Sequence, residues 1–353
     1  MLLSDFIIMN TRLKFLDRFL TVWIFLAMLL GVGLGYCFPD MTRVMDALSM
    51  GTTNIPLAIG LIVMMYPPLT KVDFSRIPAV MAKPKLLLVS FFITWIIGPL
   101  LMFLLATTFL RNSPEYMTGL IIIGLAPCIA MVIVWNDLAQ GSKEWVTGLV
   151  GVNSILQVLF FAFYAYFYLE MVLPWMGIEG VHIDVTMWDI AKTVGLYLGI
   201  PFVAAVLSRK SIIAIKGEQW FQTKFLPAIT PLTLIALLFT IVVMFSLKGQ
   251  MIVELPMDVI DVAIPLVVFF VVMFSLMFAV AKWAGASYSE NAAVSFTASG
   301  NNFELAIAVS IGVFGLNSGQ AFAGVIGPLV EVPALILMVK LSLYLKKKIY
   351  DNN

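Results

Sequence analysis

Two residues of this chain carry chemistry at matched positions. Cys128 offers a thiol directly after Pro127, and Glu304 offers a carboxylate 176 positions later. A thiol becomes a nucleophile and a ligand once its charge is stabilised, and a carboxylate can take up and release protons. The offset recurs: Gly124 falls on Gly300, Ser142 on Ser318, Gly148 on Gly324 and Gly151 on Gly327, while Pro56 and Pro231 lie 175 apart. The stretches around the pair, GLIIIGLAPCIAMVIVWNDLAQGS and FTASGNNFELAIAVSIGVFGLNS, read as apolar spans interrupted near their middles. Pro127 lacks an amide hydrogen and clashes with the preceding turn. In the second stretch Ser299, Gly300, Asn301 and Asn302 do comparable work, since Gly permits unusual backbone angles and Asn caps a following helix. This reading puts Cys128 and Glu304 each at the start of a half-helix. The positive end of that half-helix favours a thiolate or carboxylate, while burial favours the neutral forms.

Each candidate has a plainer role beside the chemical one. Cys128 could fill space as a small apolar residue, and Glu304 could only tie down loose amides; position beside the breaks favours function for both. A second carboxylate, Glu331, lies in EVP within the last apolar span, and an acidic group at membrane depth is a functional candidate by default. Asn153 and Gln157 share one helical face and either line a cavity or bond to neighbouring helices. Ser299 is a further cavity candidate. Asp137 reads as an interfacial anchor, Cys37 as packing, and the sole histidine, His182, as a solvated loop residue.

The elements that position these groups are membrane helices. Of 353 residues 61% are hydrophobic and 12% charged, with a mean hydropathy of +1.03, far from the balance of a soluble domain. Apolar runs predict spans near 19–38, 47–67, 85–107, 116–138, 146–170, 189–208, 226–247, 258–282, 292–314 and 321–345. The runs are too continuous for barrel strands. Sixteen of the 21 Lys and Arg residues fall on one side of that arrangement, which by the positive-inside rule predicts both termini in the cytoplasm. With five spans in each half, the halves 1–170 and 171–353 would have inverted topology, the recurring plan of secondary transporters. Residues 1–14 lack the order of a cleavable signal. The proline-rich connection 66–85 is expected to stop the second helix and lie along the surface as a short amphipathic segment, and 209–225 to be an equivalent basic loop. Both cysteines are expected to be reduced.

Several classes fall away. No GxxxxGK[ST] phosphate loop is present, no His and Cys cluster has metal-site spacing, and no nucleophile and base pair suggests an enzyme. No cofactor is expected, and nothing suggests nucleic acid.

The motifs GLAPCIAMVIVW, FTASGNNFELAIAVSIGVFGLNSG and GPLVEVPALI closely resemble the arsenical-resistance-3 type of arsenite efflux permease, in the bile acid/arsenite/riboflavin transporter superfamily. The resemblance covers all ten predicted spans. It implies an all-α, ten-helix plasma-membrane protein of two inverted five-helix repeats, with crossed, broken fourth and ninth helices. A panel domain would come from spans near 19–67 and 189–247, and a core domain from spans near 85–170 and 258–345. It implies export of trivalent arsenite, sometimes antimonite, in exchange for protons. Cys128 would be the arsenic(III) ligand, with Glu304, Asn301, Asn302 and Pro127 completing the site and Glu304 and Glu331 handling protons. Ile129 stands where the family usually has Thr. Sodium-coupled uptake of an organic anion and a non-transporting metalloid sensor are the competing readings; association with a soluble pump ATPase stays open.

Overall fold

The computed structural model describes residues 19–38, 48–50, 53–178, 186–247, 256–315 and 318–351. His182 lies outside the described residues, as do Arg12, Lys14, Arg18, Arg43 and Lys248 among the charges used for orientation.

The described residues are helical nearly throughout. It runs through α1 (Leu20–Cys37), α2 (Ile55–Lys71), α3 (Pro84–Phe109), α4 (Pro114–Gly124), α5 (Val132–Leu138) and α6 (Lys143–Trp175). There follow α7 (Met187–Lys216), α8 (Glu218–Ser246), α9 (Met257–Trp283), α10 (Tyr288–Ser299), α11 (Phe303–Phe314) and α12 (Gly319–Tyr350). Helices satisfy their own backbone groups, which an apolar surrounding requires. By length and composition α3, α6, α7, α8, α9 and α12 can each cross a membrane, and α1, α2 and α11 are shorter apolar helices. The protein is a multi-pass membrane protein. A two-residue antiparallel pair, β1 (Ser49–Met50) with β2 (Thr53–Asn54), was not expected from the sequence.

Two groups of helices pack closely, and α7 also meets α6 and α11. In one, α8 lies against α1 and α2, and α7 against α2. The backbones of α1 and α8 approach closely at Gly31, where a Cβ would come within 2.6 Å of the Val242 carbonyl oxygen; small residues permit such approaches in membranes. In the other, α9 packs on α10 and α12, and α12 on α4 and α11.

The 176-residue offset reappears in the helix ends. α5 stops at Leu138 and α11 at Phe314, while α6 and α12 begin at Lys143 and Gly319. Ser142 accepts from the Trp145 amide at 3.2 Å, and Ser318 accepts from the Ala321 amide at 3.2 Å. Each serine thus caps the helix that follows, supplying an acceptor for an otherwise orphaned donor. The Ser142 amide donates to the Ser289 carbonyl at 2.8 Å, and the Gly319 amide to the Glu115 carboxylate at 2.6 Å.

Several expectations need correction. Pro67 and Pro68 do not end α2, which continues to Lys71 with both prolines buried inside it. Each lacks the amide that would bond four residues back, to the Val63 and Met64 carbonyls, yet the helix runs on through them. The following segment is amphipathic as expected, with Met81 exposed and Val80 buried. Its short helix Ile77–Met81 packs on α6, with Val80 fully buried against Gly148 and Ile77 against Gly151. The 209–225 connection is helical except at Gly217, whose φ of 84° breaks α7 from α8. Cys37, expected to pack, is exposed at the end of α1. Both cysteines are free thiols, as expected.

Candidate functional site

The first interrupted span leaves Leu125 to Met131 outside regular helix, between α4 and α5. The second leaves only Gly300, Asn301 and Asn302, between α10 and α11. The two gaps pair with each other. Pro127 faces Asn301 in an antiparallel bridge, the Cys128 amide donates to the Gly300 carbonyl at 2.9 Å, and the Asn302 amide donates to the Ala126 carbonyl at 2.8 Å. These bonds flank the Pro127–Asn301 pair, so the proline sits where no donor is asked of it. Backbone freed from one helix finds its partner in the other, as membrane burial demands.

Side chains complete the junction. Asn302 caps α11, its Oδ1 accepting from the Leu305 amide at 3.1 Å, and its Nδ2 donates to Gln157 Oε1 at 2.7 Å. Gln157, on α6, donates from Nε2 to the Pro127 carbonyl at 2.7 Å. Asn301 Nδ2 donates to the Ile123 carbonyl at 3.0 Å, tying down the last turn of α4.

Cys128 is 2% exposed and Glu331, on α12, is 3% exposed. Gly300 lies between them: a Cβ there would stand 2.9 Å from Cys128 Cβ and 3.3 Å from Glu331 Oε1. The backbone amide of Asn301 is directed at the Glu331 carboxylate, yet Glu331 Oε1 itself has no hydrogen-bond partner. Neither has Asn301 Oδ1. The junction therefore holds a buried thiol and two orphaned acceptors, and an orphaned buried acceptor is costly unless a donor arrives. Glu304 is the second residue of α11, half-buried in its first turn.

The structure brings Pro127, Cys128, Asn301, Asn302, Gln157 and Glu331 together, with Glu304 one turn along. Two candidates stand apart. The Ser299 hydroxyl donates to the Ser295 carbonyl one turn back in its own helix, at 2.9 Å. Asn153 accepts from the Trp95 indole at 3.0 Å, a bond between α6 and α3. A correction also applies to Cys128: it lies within the gap, four residues before α5 begins at Val132, and not in the first turn of a half-helix. The longer gap follows from the absence of any side-chain cap at Met131. The reach of Gln157 to both gaps was not read from the sequence, although its spacing from Asn153 marked the face.

Residues 58–255 match the sodium bile acid symporter family. The arsenical-resistance protein Acr3 of Corynebacterium glutamicum is 46% identical over 97% of this chain and 92% of its own length. The chain belongs to the Acr3 arsenical-resistance family. Acr3 of Alkaliphilus metalliredigens is 33% identical over 93% of this chain and 92% of its own, and an uncharacterized transporter of Synechocystis is 31% identical over 93% and 88%.

In this Acr3-family chain a cavity of about 1090 Å³ opens beside α5, between Lys71, Asp73, Asp137, Lys143 and the Leu226–Thr230 turn of α8. Its wall is laced by ion pairs, with Asp73 meeting Arg76 at 3.5 Å and Arg209 at 3.4 Å, and Arg76 meeting Glu144 at 3.7 Å. Partial burial pushes the Asp73 carboxyl up, but hydrogen bonds from Ser75 and the Arg209 and Arg76 charges outweigh it and hold it below the usual carboxylate range. Asp137, expected as an interfacial anchor, lies 3.9 Å from Lys143 on this wall.

Proposed function

We propose that the chain is a secondary transporter that exports trivalent arsenite from the cytoplasm in exchange for protons, with antimonite as a second substrate. The observation that carries this reading is the junction itself, a buried thiol beside two acceptor oxygens that lack donors. Arsenite at neutral pH is mainly As(OH)3, a soft centre that favours sulfur and presents three hydroxyl donors. The Cys128 thiol would exchange with one hydroxyl: an S–As bond forms, an As–O bond breaks, and the thiol proton leaves with that hydroxyl as water. Water reverses the step. The remaining hydroxyls would donate to Glu331 Oε1 and Asn301 Oδ1. One sulfur holds arsenic reversibly, where three would trap it. Glu304, half-buried one turn along, would exchange protons with Glu331, so that protonation from outside releases the arsenic.

The scaffold proposed for this work is a plasma-membrane protein with both termini in the cytoplasm and ten helices in two inverted five-helix repeats, 1–170 and 171–353. Supporting it are the shared 176-residue offset of helix ends and capping serines. Spans near 19–67 and 189–247 would form a panel, and spans near 85–170 and 258–345 a core. Alternating access would come from one rocking against the other.

Everted vesicles carrying the protein should accumulate arsenite when the lumen is made acid, with no need for sodium. The family description favours one rival, sodium-coupled uptake of an organic anion. Arsenite movement that requires sodium and ignores the pH gradient would sink proton exchange and support that rival.

A further inference from the structure

Among the described residues, Gln157 is the side chain from outside the two gaps that bonds to both of them. It is fully buried on α6. Its Nε2 holds the Pro127 carbonyl at 2.7 Å, while the amide of the same peptide unit, on Cys128, is held by Gly300 at 2.9 Å. The peptide that carries the thiol is therefore fixed at both ends. On its other side Gln157 Oε1 accepts from Asn302 Nδ2 at 2.7 Å, which leaves Asn302 Oδ1 turned to the Leu305 amide at 3.1 Å. One carboxamide thus sets the thiol-bearing peptide and the cap that holds the Glu304 turn. Among side chains of this length that stay neutral at every pH, glutamine alone donates and accepts through one planar group.

We infer that Gln157 is a positioning residue: it clamps Cys128 and the start of α11 into one rigid unit with α6. The clamp sets where the thiol points, and it rests on the transporter reading only for its effect on transport. Glutamate is the discriminating replacement. In the Gln157→Glu variant a protonated carboxyl can still donate to the Pro127 carbonyl, whereas the ionised carboxylate sets acceptor against acceptor. A space-filling role would not depend on that proton.

The test uses the full chain in proteoliposomes, with Cys37→Ser to remove the exposed thiol, and follows alkylation of Cys128 by N-ethylmaleimide. Rates are divided by those of the parent at each pH, which cancels the titration of the thiol itself. Gln157→Met should alkylate about tenfold faster than the parent at every pH, the effect expected when a buried partner is orphaned. Gln157→Glu should match the parent in acid and approach Gln157→Met in alkali. A flat ratio for Gln157→Glu, or parent-like rates for both variants, overturns the inference. Should Gln157→Met fail to assemble, the pH profile of Gln157→Glu decides alone. Failure of the parent to move arsenite would sink the transport reading and leave the alkylation result standing.

Discussion

The two interruptions share an offset and differ in build. The second is three residues long, carries its own cap in Asn302 and leads into the twelve-residue α11. The first spans Leu125 to Met131, has no side-chain cap at Met131 and leads into the seven-residue α5. Its order is borrowed, from the Gly300 carbonyl, the Asn302 amide and the Gln157 carboxamide. The lesson is a division of labour. A short capped break makes a firm edge, and a long uncapped break is laid along that edge and carries the thiol. The glycines after the interruptions differ similarly. Gly148 and Gly151 receive Val80 and Ile77 from the short connecting helix, whereas Gly324 and Gly327 receive Ile307 and Phe303 from α11 itself. The self-supported half packs on its own half-helix, and the other half packs on a connection.

The largest effect should come from exchanging the reactive atoms at the matched positions. Cys128→Ser should lower arsenite transport by on the order of 100-fold, since oxygen is a poor ligand for a soft centre. Glu304→Gln should abolish the pH-gradient dependence while arsenite still protects Cys128 from alkylation. Loss of that protection in Glu304→Gln would mean that the gaps do not divide the work as proposed.

Gly124→Ala and Gly300→Ala separate the gaps next. At Gly300 a Cβ meets Cys128 and Glu331, and at Gly124 it meets Met102 of α3. Both should destabilise by about 1–3 kcal/mol through overpacking, read as loss of thermal stability in detergent. Only Gly300→Ala should also raise the arsenite concentration needed for half-maximal transport.

Asn302→Ala should cost about 1 kcal/mol as a lost cap, and Asn302→Asp should recover that stability because its carboxylate still accepts from Leu305. The aspartate cannot donate to Gln157, so Cys128 reactivity should stay altered. Recovery of both by Asn302→Asp would show that the bond to Gln157 does not set the reactivity of the thiol.

The smallest effect concerns the capping serines. Ser142→Ala and Ser318→Ala should each destabilise by about 1 kcal/mol, and to a similar extent. A loss confined to one would show that the matched offset does not carry matched energetics.

The membrane class and the two interrupted spans were legible in the sequence, because proline, glycine and asparagine act on the backbone locally and an apolar run needs no partner to be recognised. The caps at Ser142 and Ser318 were legible as an offset for the same reason. The end of α2 was misread, since a proline costs a helix one bond to the carbonyl four residues back without by itself deciding where the helix stops. The direction of the Ser299 hydroxyl was not legible, because whether it turns back onto its own helix or outward depends on the neighbours around it.

By itself, then, the sequence determined where helices break and which chemical groups stand at the breaks, properties written in single residues and short spacings. Only the tertiary structure decided that the Pro127 gap lies against the Asn301 gap, that Glu331 arrives from α12 to share Gly300 with the thiol, and that Gln157 holds both sides. Gln157 stands 30 residues from Pro127 and 145 from Asn302 along the chain. Contacts of that kind leave no local pattern, because they exist only once the helices have packed.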